Sequence, residues 1–313
     1  MDTLTKNLSE IDHTQTNTVG GKAASLGEML KAGFMVPQGY VITTAAFDHF
    51  LASNELNLKI QEILQNISEE NPTEAITKGS AAIQELFNAT EIPPEIATAI
   101  TSPFAEHAMT RVAVRSSATV EDGKNAAWAG QLDTFLNVSE EALMANIKNC
   151  WASLFSVRAL HYRLEQKLLH THISVAVVIQ EMIDSEKSGI AFSVHPVTKD
   201  TAQIIIEAGF GLGELIVAGE ATPDSYVVQK ESQDILDITV NTQDKALYSG
   251  AGETNTTLLD EKGSKQVLAS ENIQELATII EKIEKHYGFP CDIEWAYANE
   301  TFYITQSRPI TTL

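Results

Sequence analysis

Residues 291–309 read CDIEWAYANETFYITQSRP. Two runs of alternating side chains flank Asn299 and Glu300, so the stretch reads as a β-hairpin. Alternation puts Asp292 and Glu294 on one face of the first strand, and Gln306 and Arg308 on one face of the second. With Asn299-Glu300-Thr301 as the loop, Glu294 lies opposite Gln306 and Asp292 opposite Arg308. That face then carries hard oxygen donors suited to Mg²⁺, with a guanidinium alongside. A surface hairpin with one cross-strand ion pair has the same pattern, so the rest of the chain must decide between them.

The chain has 313 residues, 43% hydrophobic and 20% charged, which is ordinary for a globular protein. That length suits one large bilobal unit or two packed domains. No apolar run is long enough to span a membrane, and the first twenty residues resemble neither a secretion signal nor a transit peptide. Cys150 and Cys291 lie in hydrophobic surroundings and read as buried free thiols in a reducing cytoplasm. The formal charge of −21 excludes nucleic acid as a partner, because phosphate neutralisation needs Lys and Arg. It also makes the five arginines informative, since an acidic protein that binds polyphosphate must gather its cations locally.

Upstream of the hairpin, residues 21–32 read as a helix closed by Gly33. A strand follows at 40–42, then Thr43 or Thr44 as the cap of another helix. Residues 55–107 read as helices punctuated by prolines. Residues 112–114 form a strand and 116–130 a loop rich in small residues. Two helices cover 139–169. Strands are expected at 174–183, 189–194, 203–207 and 226–229, a helix at 271–287, and the closing strands at 291–297 and 301–306. Helices come first, then mixed strands and helices, which predicts an α+β architecture with two lobes.

Several stretches could carry chemistry. Gly20-Gly21-Lys22 sets a lysine at a helix start, where unpaired N–H groups favour an anion. It is not the P-loop pattern. Arg115 ends the buried run Val112-Ala113-Val114, and a guanidinium there matches phosphate oxygens. The loop after it, through Gly123 and Gly130 to Gln131, could close over phosphates. Gln180-Glu181-Met182-Ile183 ends an apolar strand whose edge could read adenine through its backbone. Gly209-Phe210-Gly211-Leu212-Gly213-Glu214 lacks the spacing and the βαβ surroundings of a dinucleotide fingerprint, so that reading is rejected. His195 reads as structural.

Taken together these stretches resemble the N-terminal nucleotide-binding domain of phosphoenolpyruvate synthase, pyruvate phosphate dikinase and rifampin phosphotransferase. VGGKAASLGEML (19–30), VAVRSSATVED (112–122), AGQLDTFLNV (129–138), SGIAFSVHPVT (188–198), GFGLGELIVAGEATPDSYVV (209–228) and FYITQSRPITTL (302–313) occur in the family's order. The resemblance implies a two-lobed ATP-grasp-like fold with the nucleotide between the lobes, here 1–185 and 186–313. It implies ATP and Mg²⁺ as ligands. Lys22, Arg115 and Arg308 match phosphate-contacting residues with catalytic roles, and Glu294 and Gln306 match the metal ligands. Gln180, Glu181, Met182 and Ile183 match the strand that frames adenine. Gln131 and Thr134 match a phosphate-side loop, and Glu214 a nucleotide-side turn.

The same resemblance implies cleavage of ATP to AMP, with phosphate passing through a histidine on a swivelling domain. No histidine motif of that kind occurs in these residues, so the histidine domain and an acceptor domain are expected to be absent. A histidine-bearing polypeptide acting in trans is then the implied partner. The alternative expectation is a free-standing, non-catalytic nucleotide-binding module.

Overall fold

The structure is a computed structural model and describes residues 3–67, 72–119, 128, 131–250 and 254–311. Contacts divide the chain into two compact units, Met1–Gly27 with Gln38–Met182, and Glu28–Pro37 with Ile183–Leu313. Sequence reading set a single boundary after residue 185. The observed second unit also takes Glu28–Pro37, because Glu28 pairs with His286 and the Met35 carbonyl accepts from Ile304 N.

The first unit begins with β1 (Thr5–Asn7), α1 (Thr16–Lys31, whose last residues count with the second unit) and β2 (Gly39–Ile42). Helices α2 (Thr44–Ser53), α3 (Leu56–Gln65), α4 (Pro72–Ala89) and α5 (Pro94–Glu106) follow. The remainder is β3 (Val112–Ala118), β4 (Thr134–Val138), α6 (Glu140–Ser153), α7 (Val157–Glu165) and β5 (Val175–Glu181). The five-stranded sheet runs β1-β2-β5-β3-β4, with β5 and β3 inside it. One of its faces supplies Tyr40, Ile42, Val114, Val177 and Ile179 to a core shared with Phe47, Phe50, Phe87 and Trp151 of the helices. That burial is why the periodic apolar positions of α2 to α7 form helices here.

The helix expected at 21–32 is present; Gly20, whose φ of 75° is not helical, separates it from a short helical stretch that begins at Thr16. Two local expectations need correction. Helix α5 continues through Pro103, which therefore does not end it. Strand β3 extends four residues past Val114, because the hydroxyls of Ser116 and Ser117 find partners inside the protein. Most of the expected loop 116–130, including Gly123 and Gly130, lies outside the described residues.

The second unit holds a six-stranded sheet in the order β13-β12-β6-β7-β8-β9. The strands are β6 (Lys187–Phe192), β7 (Gln203–Phe210), β8 (Asp224–Gln229), β9 (Ile235–Thr239), β12 (Cys291–Ala298) and β13 (Thr301–Pro309). A short helix α8 (Glu214–Val217) follows β7, and β10 (Lys245–Ser249) pairs with β11 (Thr254–Leu258) in a separate hairpin. Helix α9 (Ser270–Tyr287) buries Ile273, Leu276, Ala277, Ile280 and Ile283 and packs on β7, β8 and β12. Gly288, at φ 74°, closes it in the left-handed conformation that glycine adopts without strain. β7 and β8 are antiparallel, so no βαβ unit surrounds the 209–214 turn and the rejected dinucleotide reading stays rejected. The α+β class is observed. Among the described residues no helix is long and apolar enough to cross a membrane.

Candidate functional site

In the first unit, β3 carries the candidate Arg115. Its residues Ala113, Arg115 and Ser117 face away from the helical core that holds Val112, Val114 and Ala118. Arg115 is buried, and its Nη1 donates to Gln180 Oε1 at 3.2 Å. Gln180 stands opposite Ala113 on the neighbouring strand, so its side chain shares the face of Arg115. Thr134 stands opposite Arg115 on the other side and is exposed.

The glycine turn of α1 docks on the same strand. Lys22 Nζ donates to the Ser116 carbonyl at 2.7 Å, and Ser117 Oγ donates to the Val19 carbonyl at 2.9 Å. Gly20 approaches so closely that a Cβ there would meet the Ser117 carbonyl oxygen at 2.2 Å. Only glycine allows that approach with φ at 75°. The expected role of the turn as a row of open N–H donors is partly withdrawn, because Ala23 N already donates to Ser117 Oγ. What the turn does is set a lysine beside the arginine strand.

Gln131 lies just before β4, where its carbonyl accepts from Arg158 Nε at 2.9 Å. Arg158 also pairs with Asp133, whose carbonyl accepts from Ser116 N and Oγ. The 131–134 segment is thus pinned to β3.

The expected adenine-reading edge is different. β5 is interior, with β2 and β3 on either side. Glu181 N donates to the Gln38 carbonyl and Met182 N to the Arg111 carbonyl. The Ile183 carbonyl accepts from Ser185 N at 2.8 Å, and Ile183 itself belongs to the second unit. Sequence alternation shows a strand but not its neighbours, and both N–H groups are taken by those neighbours.

In the second unit, Asp292 pairs with Arg308 and Glu294 with Gln306, the expected partners across the hairpin. Arg308 forks onto Asp292 Oδ2, with Nε at 2.8 Å and Nη2 at 2.6 Å. Burial pushes the Asp292 carboxyl above its ordinary value, Arg308 pulls it back, and Glu294 adds a smaller upward push. The pairing continues across the sheet: Glu294 faces Ile190, and Ile190 faces Glu207. Glu207 is a third carboxylate on this face, and sequence reading missed it. Burial, then the charge of Asp292, holds its carboxyl above the ordinary value. Within the apolar run of β7, Glu207 is a lone carboxylate with no local partner to mark it.

Glu214 opens α8 and is exposed, with its carboxyl raised by partial burial and by the charge of Glu220. No described contact joins it to the hairpin residues. His195 Nδ1 accepts from Val197 N and Thr198 N, which fits a turn-forming role. Cys150 and Cys291 are buried free thiols, each pushed up to about 12 by burial.

These two groups of residues can be set beside known proteins. The family profile described as pyruvate phosphate dikinase, AMP/ATP-binding domain, matches residues 16–313. A probable phosphoenolpyruvate synthase of Methanocaldococcus jannaschii is 40% identical over 316 residues, which is 98% of this chain and 26% of that protein. A rifampicin phosphotransferase of Bacillus subtilis is 40% identical over 321 residues, covering all of this chain and 36% of its own length. A phosphoenolpyruvate synthase of Aeropyrum pernix is 36% identical over 342 residues, covering 97% of this chain and 42% of that one. The chain spans between a quarter and a half of these relatives.

Proposed function

The chain belongs to the pyruvate phosphate dikinase AMP/ATP-binding domain family, and from that premise we propose that it is the Mg-ATP-binding part of a dikinase-type phosphotransferase with an ATP-grasp-like site. The observation that carries this reading is the hairpin pairing: Glu294 opposite Gln306, with Arg308 forked on Asp292 one position further along the face. A carboxylate and an amide oxygen fit Mg²⁺, which keeps several waters and takes its other ligands from phosphates. Glu294 and Gln306 would hold the ion, which would supply positive charge to phosphate oxygens.

In this reading Lys22 and Arg115 are the phosphate-binding cations of the first unit. Lysine acts as a point charge and arginine as a planar fork, which suits different oxygens of one polyphosphate. Arg308 is a third cation, and the Asp292 carboxylate fixes its plane. Such preorganised charge is the main protein contribution to phosphoryl transfer. Gln131, just before β4, and Thr134, opposite Arg115, are assigned to the phosphate side. Gln180 orients Arg115, while Glu181, Met182 and Ile183 frame the base without the N–H groups of Glu181 and Met182, which the chain already uses. Glu214 stays a weaker nucleotide contact. The phosphates pass to a histidine outside these residues, on another polypeptide or another domain, in a reducing cytoplasm.

Calorimetry of the 313-residue chain with ATP and GTP, with and without Mg²⁺, tests the reading. ATP is expected to bind in preference to GTP. Lys22→Ala and Arg115→Ala are each expected to weaken ATP about ten- to hundredfold, the worth of one charge-assisted contact. Unchanged ATP affinity in both variants would place the site elsewhere. ATP bound normally, with no labelled phosphate reaching an added histidine domain, would leave a nucleotide-binding module without transfer.

A further inference from the structure

A cavity of about 490 Å³ opens among the helices of the first unit. Its apolar wall includes Phe47 and Leu51 of α2 and Ile60 and Leu64 of α3. Gln61 and residues 170–172 are exposed at its rim. It shares no residue with the nucleotide site proposed above. Arg163 of α7 also lines it, and only 2% of that residue is exposed.

The guanidinium of Arg163 is incompletely satisfied. An arginine has five N–H donors. Nε donates to the Leu168 carbonyl at 3.4 Å, and Nη2 to the carbonyls of Leu169 at 3.0 Å and Thr171 at 2.8 Å. Nη1 is sealed from water and has no hydrogen-bond partner. Among the described residues no carboxylate pairs with Arg163; the Phe155 ring lies 5.5 Å from it. Burial lowers the group to about 10, and no neighbouring anion offsets that. A buried cation without a counter-charge is unfavourable unless something else supplies one.

We propose that this cavity binds a small organic carboxylate, with its charged end on Arg163 Nη1 and its apolar body against Phe47, Leu51, Ile60 and Leu64. The volume falls in the range of small-molecule pockets. A carboxylate is favoured over a phosphate by number. One positive charge and the N–H groups of one nitrogen remain, which matches a monoanion, whereas a phosphate dianion demands more donors. Access to Nη1 requires only that the exposed side chains at the 170–172 rim turn aside, with the Thr171 carbonyl kept on Nη2.

The test titrates the full chain with hexanoate, with 1-hexanol as the neutral control and inorganic phosphate as the other anion. Saturable hexanoate binding is expected, with 1-hexanol and phosphate weaker by about tenfold or more. Arg163→Met and Gln61→Trp should each reduce hexanoate affinity by about tenfold or more. The first removes the charge and the second blocks the rim at an exposed position, which keeps the test usable if the first variant is unstable. A merely structural Arg163, clamping the 168–171 carbonyls, would lower the melting temperature of Arg163→Met but leave hexanoate and hexanol indistinguishable in the parent. That result, an absence of saturable hexanoate binding, phosphate binding in its place, or full hexanoate affinity in a folded Gln61→Trp variant each overturns the proposal.

Discussion

Glu294 stands opposite Gln306 because Thr305 is left out of the ladder. The turn at Asn299 and Glu300, with φ of 50° and 57°, pairs Ala298 with Thr301. Continued regularly, that register would set Thr305 against Glu294. The irregularity between Glu294 and Trp295 absorbs Thr305 and brings the glutamine into place. A three-residue loop, as read from the sequence, reaches the same pairing by a different route. Bulges commonly re-aim side chains beside functional sites.

Gln306→Leu is therefore expected to keep the hairpin and to remove most of the enhancement that Mg²⁺ gives to ATP binding, a drop of about tenfold or more in affinity at saturating Mg²⁺. Calorimetry with and without the ion reads this directly. An equal Mg²⁺ enhancement in parent and variant would take the metal away from this pair.

Glu207→Gln should stabilise the protein at neutral pH. Burial and Asp292 hold the folded pKa of Glu207 above its ordinary 4.5, so its charged form is penalised in the folded state. The penalty is full above the folded pKa and fades as pH falls through it towards 4.5. The variant is expected to melt about 1–3 °C higher than the parent at pH 7, with the gain lost near pH 4. A lower melting point at pH 7 would mean that Glu207 is held by favourable partners instead.

Gly20→Ala and Gly33→Ala separate crowding from backbone strain. Both glycines have positive φ, 75° and 85°, but only Gly20 lies against other atoms. Gly33→Ala is expected to cost about 1 kcal/mol, the left-handed penalty alone. Gly20→Ala adds a clash with the β3 backbone, for a total of about 2–4 kcal/mol. It should also lower ATP affinity by displacing Lys22 from Ser116. Denaturant unfolding and calorimetry on both variants check this, and equal losses would contradict the close approach.

Neither thiol is expected to react in the native protein. Both are buried and protonated, with values near 12, and the thiolate is the reactive form. Titration with a chromogenic disulfide should show reaction only on unfolding. Rapid labelling of native protein at pH 8 would contradict it.

The hairpin was legible because strand alternation fixes which side chains share a face, and Asp292, Glu294, Gln306 and Arg308 obey it. Lys22 and Arg115 were legible as types but not as neighbours. Their relation depends on Gly20 lying against Ser117, a contact between residues almost a hundred positions apart. Glu207 was missed for a similar reason. Nothing near it in sequence is acidic, and its significance comes from Asp292 two strands away. At Gln180 to Ile183 the limit is of another kind: an apolar run says that a strand is buried, not which backbone groups its neighbours will occupy, here the N–H groups of Glu181 and Met182.

The grouping of Glu28–Pro37 with Ile183–Leu313 also sets an order of events during synthesis. The Met35 carbonyl leaves the ribosome 304 − 35 = 269 residues before Ile304, whose N–H it accepts. At about 5–20 residues per second that is a wait of roughly 15–50 s. The first unit has all its residues once Met182 has emerged, while the segment looped out of it still lacks its strand. A nascent chain paused only after Met182 has cleared the ribosomal exit tunnel should resist protease across its early sheet while remaining cleavable near Met35.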